Sequence, residues 1–164
     1  MAATELKNTT DGTPRHARVA IPPPLVFATV IIFGVVLDLL VPVDLLPALA
    51  QRVAGLPIIG FSVFLSALSF RSFAKNRTTS SHREKTTALI MDGPFAYTRN
   101  PLYLSGLLLD LGLGILLDGV WIVALIVPAA LIVHYGAVLR EEEYLLFRFG
   151  KLYNRYKTSV RRWI

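Results

Sequence analysis

Apolar residues in this chain fall into long blocks separated by short polar segments, and hardly anywhere alternate one by one. Residues 1 to 20 are polar and aperiodic and read as a tail. The first block, residues 21 to 46, opens on Pro22, Pro23 and Pro24, which suit early helical positions because donors there lack an intrahelical acceptor. From Leu25 to Val41 only Thr29 and Asp38 interrupt the apolar run, and Pro42 ends it. Residues 54 to 73 form a second block, in which Ser62, Ser66 and Ser69 can return their hydroxyls to the preceding helical turn. Residues 102 to 117 form a third, short and interrupted by three glycines and Asp110, and residues 119 to 139 a fourth, in which Pro128 predicts a kink. A membrane crossing needs about 20 helical residues, and on that scale the pattern predicts four spans. The pair Asp118-Gly119 is a turn signal that leaves the last two spans antiparallel with almost no loop.

Beyond Arg140 the pattern changes. Tyr144, Leu145, Phe147, Phe149, Leu152, Tyr153 and Tyr156 recur at spacings of about three or four among charges, which predicts an amphipathic helix at the interface with Gly150 as its weak point. The expected fold class is therefore all-α: a polytopic membrane helical bundle with four transmembrane spans and an interfacial C-terminal helix. Three segments are expected: a tail over 1–20, two spans with a basic linker over 21–83, and a hairpin with the amphipathic helix over 84–164.

Composition sharpens this. Apolar residues make up 54 % of the 164 residues and charged residues only 17 %, against about 25 % charge in soluble domains. No cysteine is present, which removes disulfides and thiolate catalysis. His16, His82 and His134 are far apart in sequence, so no metal site is expected. The net charge of +6 could suggest nucleic acid, but the basic residues flank the apolar blocks, as expected for a protein facing anionic lipid. With four spans, Arg52 stands alone on one side, while the N-terminal, middle and C-terminal basic segments share the other. The positive-inside rule makes that shared side the cytoplasm, with both termini there, as in an integral protein of the bacterial inner membrane.

Two polar clusters stand out. In residues 91 to 106, MDGPFAYTRNPLYLSG, Arg99, Asn100 and Tyr103 fall within one turn of the third span's start, with Pro101 at its first helical position. They read either as a polar pocket at the cytoplasmic mouth or as ordinary interfacial anchors. Arg140, Glu141, Glu142 and Glu143 follow the fourth span directly, and adjacent carboxylates there must be hydrated, paired or bound to something. Asp110 within a span and His134 shortly before Arg140 are secondary candidates. No Ser-His-Asp set, phosphate loop or metal signature occurs.

GPFAYTRNPLYLSG followed by REEEYLLFRFGKLYNRY resembles the isoprenylcysteine carboxyl methyltransferase family of membrane enzymes over residues 84 to 160. The wider group includes phospholipid N-methyltransferases and sterol reductases. The resemblance makes 84–164 the catalytic half and implies S-adenosyl-L-methionine, held in a pocket open to the cytoplasm. It places the cofactor on Thr87, Leu89, Ile90, Phe95, Asn100, Pro101, Tyr103, Glu141 and Glu142. Asn100 stands where the family often has His, Phe95 where it has Tyr, and Thr87 where eukaryotic members have His. Arg140 or Arg99 could grip a substrate carboxylate through the paired guanidinium donors. The implied partners are membrane lipid and a lipophilic or prenylated substrate. The expected reaction is methyl transfer to a membrane-embedded carboxylate of the isoprenylcysteine type. The alternatives are phospholipid N-methylation, an NADPH-dependent reduction, or a non-enzymatic membrane role. Among basic residues of the tail, Arg140 is expected to matter most and the later ones to act as interchangeable lipid anchors.

Overall fold

A computed structural model describes residues 21–44, 46–76 and 88–164. The expected tail over 1–20 and Thr87 lie outside the described residues. The described chain forms six α-helices: α1 (Pro23–Leu40), α2 (Ala48–Lys75), α3 (Pro101–Leu116), α4 (Val120–Val133), α5 (Leu139–Phe149) and α6 (Lys151–Ser159). A 3-10 turn at Gly93–Ala96 precedes α3, and a π-helical turn at His134–Val138 joins α4 to α5.

Of the four expected spans, three are helices of full membrane-crossing length among the described residues. Pro23–Leu40, Ala48–Lys75 and the continuous rod Val120–Phe149 are long and apolar enough to cross a membrane, whereas Pro101–Leu116 has 16 residues. The reason lies in its boundaries. Pro101 removes the donor that would extend α3 backward, and Asp118, at φ 58, turns the chain sharply into α4. The second span is also longer than its apolar block, because α2 begins at Ala48 behind Pro47.

Packing follows small residues. At Gly34 a Cβ would lie 2.5 Å from Ile122 Cγ1, so α1 and α4 touch almost backbone to side chain. At Gly55 a Cβ would lie 3.0 Å from the Gly112 carbonyl oxygen, which brings α2 equally close to α3. Val26, Val30, Ile122, Ala129 and Val133 fill the core between α1 and α4. Large apolar side chains on the outer faces, Leu25, Ile32, Phe33, Phe61 and Phe64 among them, are exposed, as helices facing lipid require.

The C-terminal part departs from a single interfacial helix. Gly150, at φ 50, breaks it, and α6 turns back so that Tyr153 and Tyr156 are buried. A left-handed backbone at that point is accessible to glycine without steric cost, which is why the reversal falls there. Residues Val160–Ile164 then return to the start of α3, where Arg161 pairs with Thr98 in a parallel bridge.

Candidate functional site

The two polar clusters meet at one end of the bundle. The turn at Gly93–Ala96 delivers Arg99 and Asn100 to the first residues of α3, while the rod through α4 and α5 delivers Glu141 and Glu142. Glu142 is the centre of charge. Its carboxylate accepts both prongs of the Arg162 guanidinium, Nε to Oε1 at 2.7 Å and Nη2 to Oε2 at 2.9 Å. Arg99 Nη1 lies 3.1 Å from Oε1 and Lys157 Nζ 3.9 Å from Oε2. The Glu142 and Arg99 side chains are each 8 % exposed. Three cations around one carboxylate leave the Glu142 cluster with an excess of positive charge.

Tyrosines and the chain end brace this cluster. Arg99 Nη1 also donates to the Tyr153 hydroxyl at 3.4 Å, and the Tyr156 hydroxyl donates to the Phe95 carbonyl at 2.7 Å. Burial, and then the Glu142 charge, push the Tyr153 hydroxyl up to about 12. Burial also raises Tyr156. Both hydroxyls therefore keep their protons at neutral pH. The hydrogen bonds from Arg162 to Glu142 raise the already high pKa of that guanidinium, which stays charged. Asn100 Nδ2 donates to the Arg162 carbonyl at 2.9 Å, and the Arg99 amide donates to the Arg161 carbonyl at 3.0 Å.

Beside the cluster, between α1, α2 and α3, lies a cavity of about 320 Å³, within the usual size of small-molecule sites. Its polar end is made by Arg99, Asn100, Tyr103 and Glu141, and its apolar wall by Phe27, Phe70, Phe73 and Phe95. Phe73 and Phe95 meet edge to face at 5.5 Å. The Tyr103 hydroxyl donates to Glu141 Oε1 at 2.8 Å. Ser62 and Ser66 of α2 bond to Ser105 of α3 and close the deep side of the cavity. Arg99 Nε is buried without a hydrogen-bond partner, although such donors are normally satisfied.

Of the residues singled out from sequence, Phe95, Arg99, Asn100, Pro101, Tyr103 and Glu141 line this cavity. Glu142 is buried behind it, with both oxygens on cations. Ile90 is buried and Leu89 half-buried, and neither lines the cavity. Arg140 is on an exposed face of α5. His134 sits against Trp163, at 6.2 Å between ring centres, and outside the cavity lining. Asp110 is fully buried in α3 and also outside the lining. Sequence reasoning missed Arg162, Tyr153 and Tyr156. The spacing of the two tyrosines signalled one helical face, but nothing local told that the face turns inward.

S-adenosylmethionine offers a carboxylate, hydroxyls and a purine. The Arg99 guanidinium, the Asn100 amide and the Phe95 ring, all in the cavity lining, match those three groups, so the residues present fit it. No curated protein and no solved structure matches the chain. The sequence pattern of the phospholipid methyltransferase family matches residues 50–152, more than half of the chain. This family sits beside the isoprenylcysteine enzymes in the wider group, so the finer resemblance gives way to it. Residues 50–152 take in α2, the cavity's polar end, the hairpin and the glutamates of α5, and the chain belongs to the phospholipid methyltransferase family of membrane-embedded, S-adenosylmethionine-dependent methyltransferases.

Proposed function

We propose that this chain methylates the amine of a phospholipid headgroup at the polar end of the α1–α2–α3 cavity. The observation that carries this reading is the placement of Glu141 in a cavity whose apolar side is formed by lipid-facing helices. An acceptor amine attracts that carboxylate and must lose a proton to it before it can attack, whereas an acceptor carboxylate would be repelled by it. The Tyr103 hydroxyl holds Glu141 in place through its O–H donor. The cofactor, when bound, supplies an activated methyl on a sulfonium, so the chain's task is binding and alignment. The Arg99 guanidinium would take a carboxylate oxygen, the Asn100 amide would pair with a hydroxyl or ammonium, and the Phe95 ring would cover the purine. Glu142, saturated by cations, holds Arg99 in position. Arg140, on its exposed face, is then an anchor beside the headgroups. The acceptor nitrogen gains the methyl and its former proton rests on Glu141.

In this reading α3 makes a short fourth crossing and the cationic end faces the cytoplasm, as the distribution of basic residues argues. Since the chain has no cysteine, single cysteines introduced at positions 48 and 84 report this directly. Position 48 should label from outside and position 84 only after permeabilisation, and the reverse pattern sinks the orientation. The reaction itself is tested by transfer of labelled methyl from S-adenosylmethionine into vesicles containing an amine-bearing phospholipid. Label that withstands base supports an amine product. Base-labile label means a methyl ester and returns the chain to a carboxylate acceptor.

A further inference from the structure

The last four residues, Arg161 to Ile164, lie beyond the part of the chain that matches the family, yet they tie its two motifs together. Arg162 does so with two different groups. Its guanidinium forks onto both oxygens of Glu142, and its carbonyl accepts from Asn100 Nδ2 at 2.9 Å and from the Thr98 hydroxyl at 3.3 Å. One residue therefore holds a side chain of α5 and the residue that opens α3. Trp163 packs against the core formed by α1, α3, α4 and the π-helical turn, beside His134, and fastens the strap from its far side.

We propose that this C-terminal strap is part of the methyl-transfer site and that Arg162 is its positioning residue. This rests on the functional reading above. Arg162 acts through others: it fixes Glu142, which fixes Arg99, and its carbonyl takes one of the two Asn100 amide hydrogens, which fixes the orientation of that amide. A lysine in its place keeps the charge but loses the planar fork, so it restores the site only in part. The other arginines near the end do not share this role. Arg155 and Arg161 are exposed, and among the described residues the Arg161 guanidinium reaches the Ile164 carbonyl, at 3.4 Å, and not the cluster.

Two signals test the proposal in the full-length protein in detergent. Only two tryptophans are present, so Trp121→Phe leaves Trp163 as the sole reporter of strap docking. In that background Arg162→Ala should shift Trp163 emission to the red and raise its quenching by acrylamide. Arg162→Ala should also weaken binding of S-adenosylhomocysteine at least tenfold, with Arg162→Lys in between and Arg155→Ala unchanged. The Glu142→Gln and Arg162→Ala losses should be strongly non-additive in a double-mutant cycle, as for two groups acting as one unit. A red shift with unchanged affinity and rate would show a strap that closes the fold without serving the site, and overturns the proposal. An unmoved Trp163 with unchanged affinity overturns it as well. Wild-type protein that docks the strap but neither binds S-adenosylhomocysteine nor transfers methyl overturns the methyltransferase reading, and the role of Arg162 with it.

Discussion

The two ends of this bundle are tied by different physics. At the Asp118 end, single hydrogen bonds link the helix hairpins: the Trp121 indole donates to the Val41 carbonyl at 2.9 Å, and the Leu46 amide donates to Asp118 Oδ1 at 3.1 Å. At the Glu142 end, a carboxylate with two guanidiniums and an ammonium around it joins α3, α5, α6 and the chain terminus. The first arrangement needs only that two loops stay near each other. The second places several charges, two of them on nearly inaccessible side chains, against a cavity wall. Burying charge is costly unless it is fully partnered, so an ion cluster is weak evidence for stability and better evidence for a site that must hold charged groups in place.

That contrast can be broken. The largest expected effect is from Glu142→Ala, which leaves Arg99 and Arg162 facing each other in a poorly hydrated space. Removing one partner of a buried pair costs about 3 to 5 kcal/mol, enough to lower methyl transfer by more than ~100-fold where the contact supports the transition state. Rates at equal expression, read alongside detergent unfolding, check this. Full activity would reduce the cluster to a structural clasp.

Gly34→Val comes next and acts on neither end. Its added carbons meet Ile122 at its Cγ1 and its backbone, and overpacking of this kind costs about 1 to 3 kcal/mol. The unfolding midpoint in detergent should fall while the affinity for cofactor product in the remaining folded protein stays near wild type. A selective loss of affinity would mean that the α1–α4 contact sets the site. The smallest effect is from Trp121→Phe, which removes one neutral bond at the Asp118 end. A typical net value for such a bond is about 1 kcal/mol, so a slight loss of stability and an unchanged methyl-transfer rate are expected. A clear rate defect would show that the two ends are coupled through the helices.

Much of this was legible in the sequence. The apolar blocks, the Asp118-Gly119 turn and the weak point at Gly150 depend on local chemistry, and the helices α1, α2 and α4 follow from it. The meeting of Arg99 and Asn100 with Glu141 was legible because each sits at a boundary between an apolar block and a polar one. What stayed hidden is long-range. In the run Glu141, Glu142, Glu143 the phase of the helix decides which carboxylate turns inward, and the π-helical turn before it shifts that phase in a way no periodicity reveals. Arg161 and Arg162 have the composition of a lipid anchor whether they face headgroups or fold back. Contacts far away in sequence separate the two: Arg161 with Thr98, and Arg162 with Glu142 and Asn100.

The π-helical turn at His134–Val138 makes the rod from Val120 to Phe149 sensitive to the count of residues. Such a turn holds one residue more than an α-helical turn, so everything after it is rotated by about 100° relative to a straight helix. A one-residue deletion between 134 and 138 would leave every residue of α5 present and its helix better bonded. Glu142 would nevertheless be swung off Arg99 and Arg162. Losing a single residue within these five is therefore expected to unpair the glutamate from its cations without removing any of the groups involved.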